Sequence, residues 1–88
     1  MKIKDNSILK NIAGEYVILP LNSYAVSLDV ILKTNEVGAF IYNALKKDLT
    51  YDELFKLVYD EFEVDAKILE KDLHEFIDSL RKKGLLDD

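Results

Sequence analysis

The chain has 88 residues, a formal net charge of −5, and 49% hydrophobic and 33% charged residues, as expected for one small folded domain. It has no cysteine and one histidine, which excludes disulfides, thiolate or multi-histidine metal sites and cysteine nucleophiles. Its acidity argues against nucleic acid and anionic membranes as partners, because both attract clustered Lys and Arg. No apolar run is long enough for a membrane span or a signal peptide, so we expect a cytoplasmic binding module.

Up to about residue 34, the hydrophobic pattern is that of β-strands. We predict strands over about 7–13 and 15–21, joined at Gly14, which tolerates the positive φ of a tight turn. Pro20 limits the second strand because it cannot donate a ladder hydrogen bond. A third strand is predicted over about 26–33, where apolar and polar residues alternate and one face is expected to be covered.

From residue 35 onward the hydrophobic period is helical. Helices are predicted over about 36–47, 51–62 and 66–83. Asn35, Thr50 and Asp65 are expected as N-caps, with Thr50 and Glu53 forming a capping box, and Gly84 is expected just after the last helix. The sequence therefore predicts a single α+β domain over residues 1–88. A three-stranded antiparallel sheet is followed by three helices, in an arrangement similar to a winged helix-turn-helix.

The first predicted helix carries an apolar stripe at helical spacing. The residues expected in this stripe are Val37, Phe40, Ile41, Ala44 and Leu45. Lys46 and Lys47 are expected to close the helix, because cations are favoured at the negative end of the helix dipole.

No pattern of residues predicts catalysis, a metal site or a cofactor. His74 has no second histidine or nucleophile beside it, and we interpret it as a surface or boundary residue. The acidic segment 60–65 lacks the glycine and spacing of a calcium loop, which favours a solvated helix end. Isolated glycines exclude a phosphate-binding loop. The chain is therefore not expected to be an enzyme.

The last two predicted helices, joined by a short turn, resemble a helix-turn-helix. Lys67 and Lys71 in the third helix are interspersed with acidic residues, and this mixture repels phosphate about as much as it attracts it. A winged-helix regulator or structural subunit that contacts DNA or another protein remains the alternative function.

The predicted third strand has apolar residues on both faces, with Ile31 on the otherwise polar one, and such an edge invites strand addition if it is uncovered. Three outcomes are open for this edge. The hairpin or a helix covers it, it pairs in a homodimer, or an extended peptide adds to it as a further strand.

Four segments of the chain together resemble the pyrroloquinoline quinone biosynthesis protein D (PqqD) family. They are GEYVILPL at 14–21, NEVGAFIY at 35–42, TYDEL at 50–54 and DLHEFIDSLRKKGLL at 72–86. The resemblance implies a non-catalytic recognition element. Such an element binds the leader of a ribosomally made precursor peptide and presents it to a modifying enzyme, often a radical S-adenosylmethionine maturase.

The resemblance also implies where the peptide lies, along the third strand and toward the third helix. The backbone expected to form the ladder is that of Leu28, Asp29, Val30, Ile31, Leu32 and Lys33. The side chains expected near the cleft are those of Leu69, Asp72, Leu73, Phe76 and Ser79. Arg81 is expected to pair with acidic leader residues.

Overall fold

The computed structural model of the chain describes residues 1–21 and 31–88. In chain order its elements are β1 (Lys2–Ile3), β2 (Ser7–Ile12), β3 (Glu15–Pro20), β4 (Leu32–Thr34), α1 (Glu36–Ala44), α2 (Tyr51–Glu61), α3 (Ala66–Lys82) and β5 (Leu86–Asp87). Strands β2, β3 and β4 form an antiparallel sheet in that spatial order. The sheet followed by three helices confirms the predicted α+β fold.

The hairpin of β2 and β3 turns through Ala13 and Gly14. Both residues have positive φ, 53° and 85°, as in the two-residue turn that matches the twist of paired strands. The Asn11 side chain accepts a hydrogen bond from the Gly14 N–H at 3.0 Å and holds the turn. Strand β2 therefore ends at Ile12, one residue before the predicted end, because Ala13 belongs to the turn.

A second, two-stranded sheet joins the ends of the described chain. Strands β1 and β5 pair antiparallel, with Ile3 opposite Leu86, and the Lys4 N–H donates to the Leu85 carbonyl at 2.9 Å. Neither strand was predicted, since two residues are too few to show a period.

Helix α1 is shorter than predicted and ends at Ala44 instead of about residue 47. The Leu45 carbonyl accepts a hydrogen bond from Ile3 in β1 at 2.7 Å, and Lys46 donates to Asn43 in a tightened last turn. The prediction that Lys46 and Lys47 close this helix is therefore wrong, because its last turn has no basic residue.

The predicted caps of all three helices are confirmed. Asn35 accepts from the Gly38 N–H at 2.9 Å, and Asp65 accepts from two amides at the start of α3. At the other end of α3, Gly84 has φ 69°, and its N–H donates to Arg81 while that of Leu85 donates to Leu80. This pair of bonds is a Schellman motif, which satisfies the last carbonyls of the helix.

The sheet and the helices bury one apolar core. Its largest fully buried side chains are Tyr42, Ile18, Leu45, Leu54, Leu73, Leu80, Leu85 and Val58. Burying an aliphatic side chain of this size stabilises a fold by roughly 1.5–3 kcal/mol. Within residues 1–21 and 31–88, no helix combines the length and hydropathy needed to cross a bilayer.

Candidate functional site

A cleft of about 400 Å³ lies between β4 and α3, over the first turns of α1. Leu32, Lys33 and Thr34 form its sheet side. Val37, Gly38 and Ile41 of α1 contribute to its lining. The cleft follows α3 from near its N-terminus to Ser79, a length sufficient for several residues of extended peptide.

In the part of the chain that the structure describes, strand β4 lies at an edge of its sheet. It pairs with β3, with Ile18 opposite Leu32 and Tyr16 opposite Thr34. Among the described residues, no backbone hydrogen bond outside that ladder reaches Leu32, Lys33 or Thr34. An unpaired strand edge offers donors and acceptors in a row, which is what an added strand requires.

Most of the predicted site residues that the structure describes line this cleft. They are Leu32, Lys33, Leu69, Asp72, Leu73, Phe76 and Ser79. Leu69 and Leu73 are buried, so they also belong to the core, whereas Asp72 is exposed and Phe76 and Ser79 are half-buried. The Ser79 hydroxyl is engaged locally, donating to the Glu75 carbonyl at 3.0 Å.

Two of the remaining predicted site residues, Ile31 and Arg81, are described but do not line the cleft. Leu28, Asp29 and Val30 lie outside the described residues, as do residues 26 and 27 of the third strand predicted over about 26–33. Ile31 is described but precedes β4 and does not line the cleft.

Arg81 lies outside the cleft lining and already has partners. Its Nε donates to Asp88 at 2.9 Å and its Nη2 donates to the other oxygen of that carboxylate at 3.2 Å, while Asp78 lies 3.6 Å away. The hydrogen bond from Arg81 lowers the pKa of Asp88 below its ordinary value of 3.8. The cation is thus used to fix the C-terminal segment.

Sequence reasoning missed two exposed apolar side chains of the cleft, Val64 and Ile68. Their exposed fractions are 37% and 59%, and both line the wall formed at the start of α3. The available signal for Ile68 was its position beside Leu69 in α3, where it widens the apolar stripe, whereas Val64 precedes the N-cap Asp65 and lies outside the helix. Apolar side chains left exposed in a groove are suited to contact with a ligand.

Gly38 permits the close approach of β4 to α1 within the cleft. A Cβ at this position would overlap the Thr34 Oγ1 and would lie 2.9 Å from the Thr34 Cβ and 3.1 Å from the Phe76 ring. The absence of a side chain therefore lets the Thr34 side chain rest on the helix backbone and shapes the cleft.

A different face of α3 contacts α2 through aromatic rings. His74 is exposed and stacks on Tyr51, with ring centroids 4.7 Å apart and an interplanar angle of 18°. Burial, followed by the charges of Glu70 and Asp52, raises the pKa of the Tyr51 phenol.

In the part of the chain that the structure describes, no group of three or more His, Asp or Glu side chains is placed to hold a metal ion.

Comparisons with known proteins agree with this geometry. A protein-family model described as coenzyme PQQ synthesis protein D (PqqD) matches residues 15–86. The chain is also similar to a solved structure, that of TbiB1 in complex with the TbiA(beta) leader peptide. The identity is 29% over 99% of this chain and 95% of that chain, with a TM-score of 0.72. A search of curated proteins finds no match.

Proposed function

The chain belongs to the PqqD family, and we propose that it binds the leader segment of a ribosomally synthesised precursor peptide by strand addition along β4. The observation that carries this proposal is that β4, which has no second strand partner among residues 1–21 and 31–88, borders a largely apolar cleft. A protein of similar fold, TbiB1, has been solved with a leader peptide.

The binding energy has two sources in this arrangement. Main-chain hydrogen bonds to β4 supply affinity with little dependence on sequence, and apolar leader side chains that pack on Ile68 and Phe76 supply selectivity. Together they suit a micromolar dissociation constant, equivalent to about −8 kcal/mol.

The role that follows is presentation, not catalysis. The chain holds the leader while a separate enzyme modifies the rest of the precursor, and we propose a radical S-adenosylmethionine maturase, acting in the cytoplasm, as that enzyme. Three purified components test this role: the chain, a candidate maturase and its precursor. We expect the maturase to modify the precursor only when the chain is present, and unaided modification would contradict a presenting role.

Peptide selection tests leader binding without knowledge of the natural precursor. The immobilised chain is used to select from a display library of random 12-residue peptides, and the enriched sequences are synthesised. We expect binding in calorimetry, with the largest amide shift changes in nuclear magnetic resonance at residues 32–34. Failure to enrich any peptide, or shift changes confined to another surface, would contradict the proposal.

Two matched variants sharpen this test. Ile68→Lys places a charge on the cleft wall, whereas Leu57→Lys makes the same change at a comparably exposed position of α2 outside that cleft. We expect the first to weaken peptide binding at least tenfold and the second to leave it unchanged. Equal effects would indicate that the peptides bind elsewhere.

A second copy of the chain is the competing occupant of the β4 edge. Light scattering across a concentration series measures whether the chain self-associates. If a second copy and the peptide compete for the β4 edge, adding peptide should reduce any self-association. A gel shift with duplex DNA at low salt tests the winged-helix alternative, and we expect no shift because Asp72, Glu75 and Asp78 lie along α3.

A further inference from the structure

The side of α3 that borders the cleft carries an ordered row of side chains. Ile68, Asp72, Glu75 and Ser79 follow one another at steps of four, three and four residues, and all four line the cleft. Ile68, Asp72 and Glu75 are exposed. The row therefore presents an apolar side chain and then two carboxylates to whatever lies in the cleft.

Neither carboxylate is neutralised within the described chain. The ion pairs among residues 1–21 and 31–88 involve Met1 with Asp48 and Arg81 with Asp78 and Asp88, and none involves Asp72 or Glu75. Lys67 and Lys71, also in α3, do not line the cleft. Lys33 is the lining cation among these residues, and it lies on the opposite wall, on β4.

The spacing of the row matches that of an extended peptide. Ile68 and Asp72 are separated by four residues, or about 6 Å along the helix axis. Side chains on the same face of a strand are two residues, or about 6.6 Å, apart. One face of a strand lying along α3 therefore places consecutive side chains opposite Ile68 and opposite the two carboxylates.

We propose that the leader recognised by this chain carries a Lys or Arg two residues from an apolar anchor, the anchor packing on Ile68 and the cation lying against Asp72 and Glu75. This inference rests on the proposed function. It specifies the class of leader that the chain binds, namely a segment that combines a basic residue with an apolar one. The net charge of −5 also attracts a positively charged peptide at long range. Because these carboxylates are exposed, we expect selectivity of about tenfold and a clear dependence on salt.

The selected peptides test this pattern directly. We expect Lys or Arg to be enriched two residues from an apolar residue, and replacing that cation by Glu to weaken binding by about tenfold at 50 mM salt. The difference in affinity between the Lys or Arg peptide and its Glu counterpart should be smaller in 500 mM salt. Enrichment of acidic residues at that position, or no preference at all, would overturn the inference while leaving strand addition intact.

Charge reversal assigns the preference to the two carboxylates. The variant Asp72→Lys with Glu75→Lys should prefer the Glu peptide. The control, Asp60→Lys with Glu61→Lys, makes the same change of charge at exposed residues of α2 and should retain the preference for the Lys peptide. If both variants reverse the preference equally, net charge and not the cleft selects the peptide, and the inference fails. If no peptide binds any form of the chain, the proposed function fails with it.

Discussion

The hydroxyl of Ser7 in β2 lies 2.9 Å from the phenolic oxygen of Tyr42 in α1. Their exposed fractions are 8% and 1%, so water does not readily replace either partner. This hydrogen bond ties the edge of the sheet opposite β4 to the helix that contributes to the cleft. It also satisfies the polar group of the largest fully buried side chain in the core.

Removing both partners of this pair should cost less than the sum of the costs of removing each alone. We expect Tyr42→Phe and Ser7→Ala each to lower the free energy of unfolding by about 1–2 kcal/mol, because each leaves a buried hydroxyl without a partner. The double variant should lose less than the sum of the two. Urea denaturation measures all three, and strictly additive losses would show that the hydroxyls do not interact.

The caps and the order of elements were predictable because they depend on short-range chemistry. Asn35, Thr50 and Asp65 cap the helices through side-chain bonds to amides two or three residues ahead, which any folded context preserves.

The buried face of α1 was not predictable in the same way. Hydropathy placed Val37 and Phe40 in its stripe, but they are half-buried.

Long-range contacts explain the misplaced stripe and the cleft residues that were missed. The residues of α1 that are buried but were not expected in the stripe are Gly38, Ala39 and Tyr42. Gly38 lies close to the Phe76 ring of α3 as well as to its near neighbour Thr34, and the Tyr42 hydroxyl is satisfied by Ser7. Phe76 and Ser7 are both distant from α1 in sequence. Ile68 was missed for a related reason, since only the position of β4 turns an exposed isoleucine into a cleft wall.

The capping box at the start of α2 gives a second prediction. Thr50 Oγ1 accepts from the Glu53 N–H at 3.1 Å, and the Thr50 N–H donates to Glu53 Oε1 at 2.9 Å. We expect Thr50→Ala to lower the free energy of unfolding by about 1 kcal/mol, whereas Thr50→Ser keeps the acceptor and should lose little. Thermal melting of the two variants distinguishes them, and equal losses would mean that the methyl group and not the cap matters.

The contact of Arg81 with Asp88 gives a pH-dependent prediction. Because the hydrogen bond from Arg81 lowers the pKa of Asp88, this contact stabilises the fold above the ordinary carboxyl pKa of 3.8. Its contribution falls as the pH drops from 3.8 toward the lowered pKa of Asp88 in the fold, where the carboxylate becomes protonated. We expect Asp88→Asn to be slightly less stable than the parent at pH 7, with the difference shrinking as the pH is lowered below 3.8, as measured by urea denaturation. A difference that persists in acid would show that the charge is not responsible.

Substitution of Gly38 should affect both the free energy of unfolding and peptide binding in the cleft. Replacing a helical glycine with alanine ordinarily stabilises a helix by about 1 kcal/mol. Here the new Cβ would overlap the Thr34 Oγ1 and crowd Phe76, and overpacking of this kind costs about 1–3 kcal/mol. We therefore expect Gly38→Ala to be destabilising overall and to weaken binding of the selected peptides, because the displaced Thr34 and Phe76 both line the cleft. Gly38→Ala should cost less stability in a Thr34→Ala background than in the parent chain, because the Thr34 Oγ1 that its Cβ would overlap is then absent. A stabilising Gly38→Ala in urea denaturation would mean that propensity outweighs the close approach and that β4 can move away from α1 at little cost.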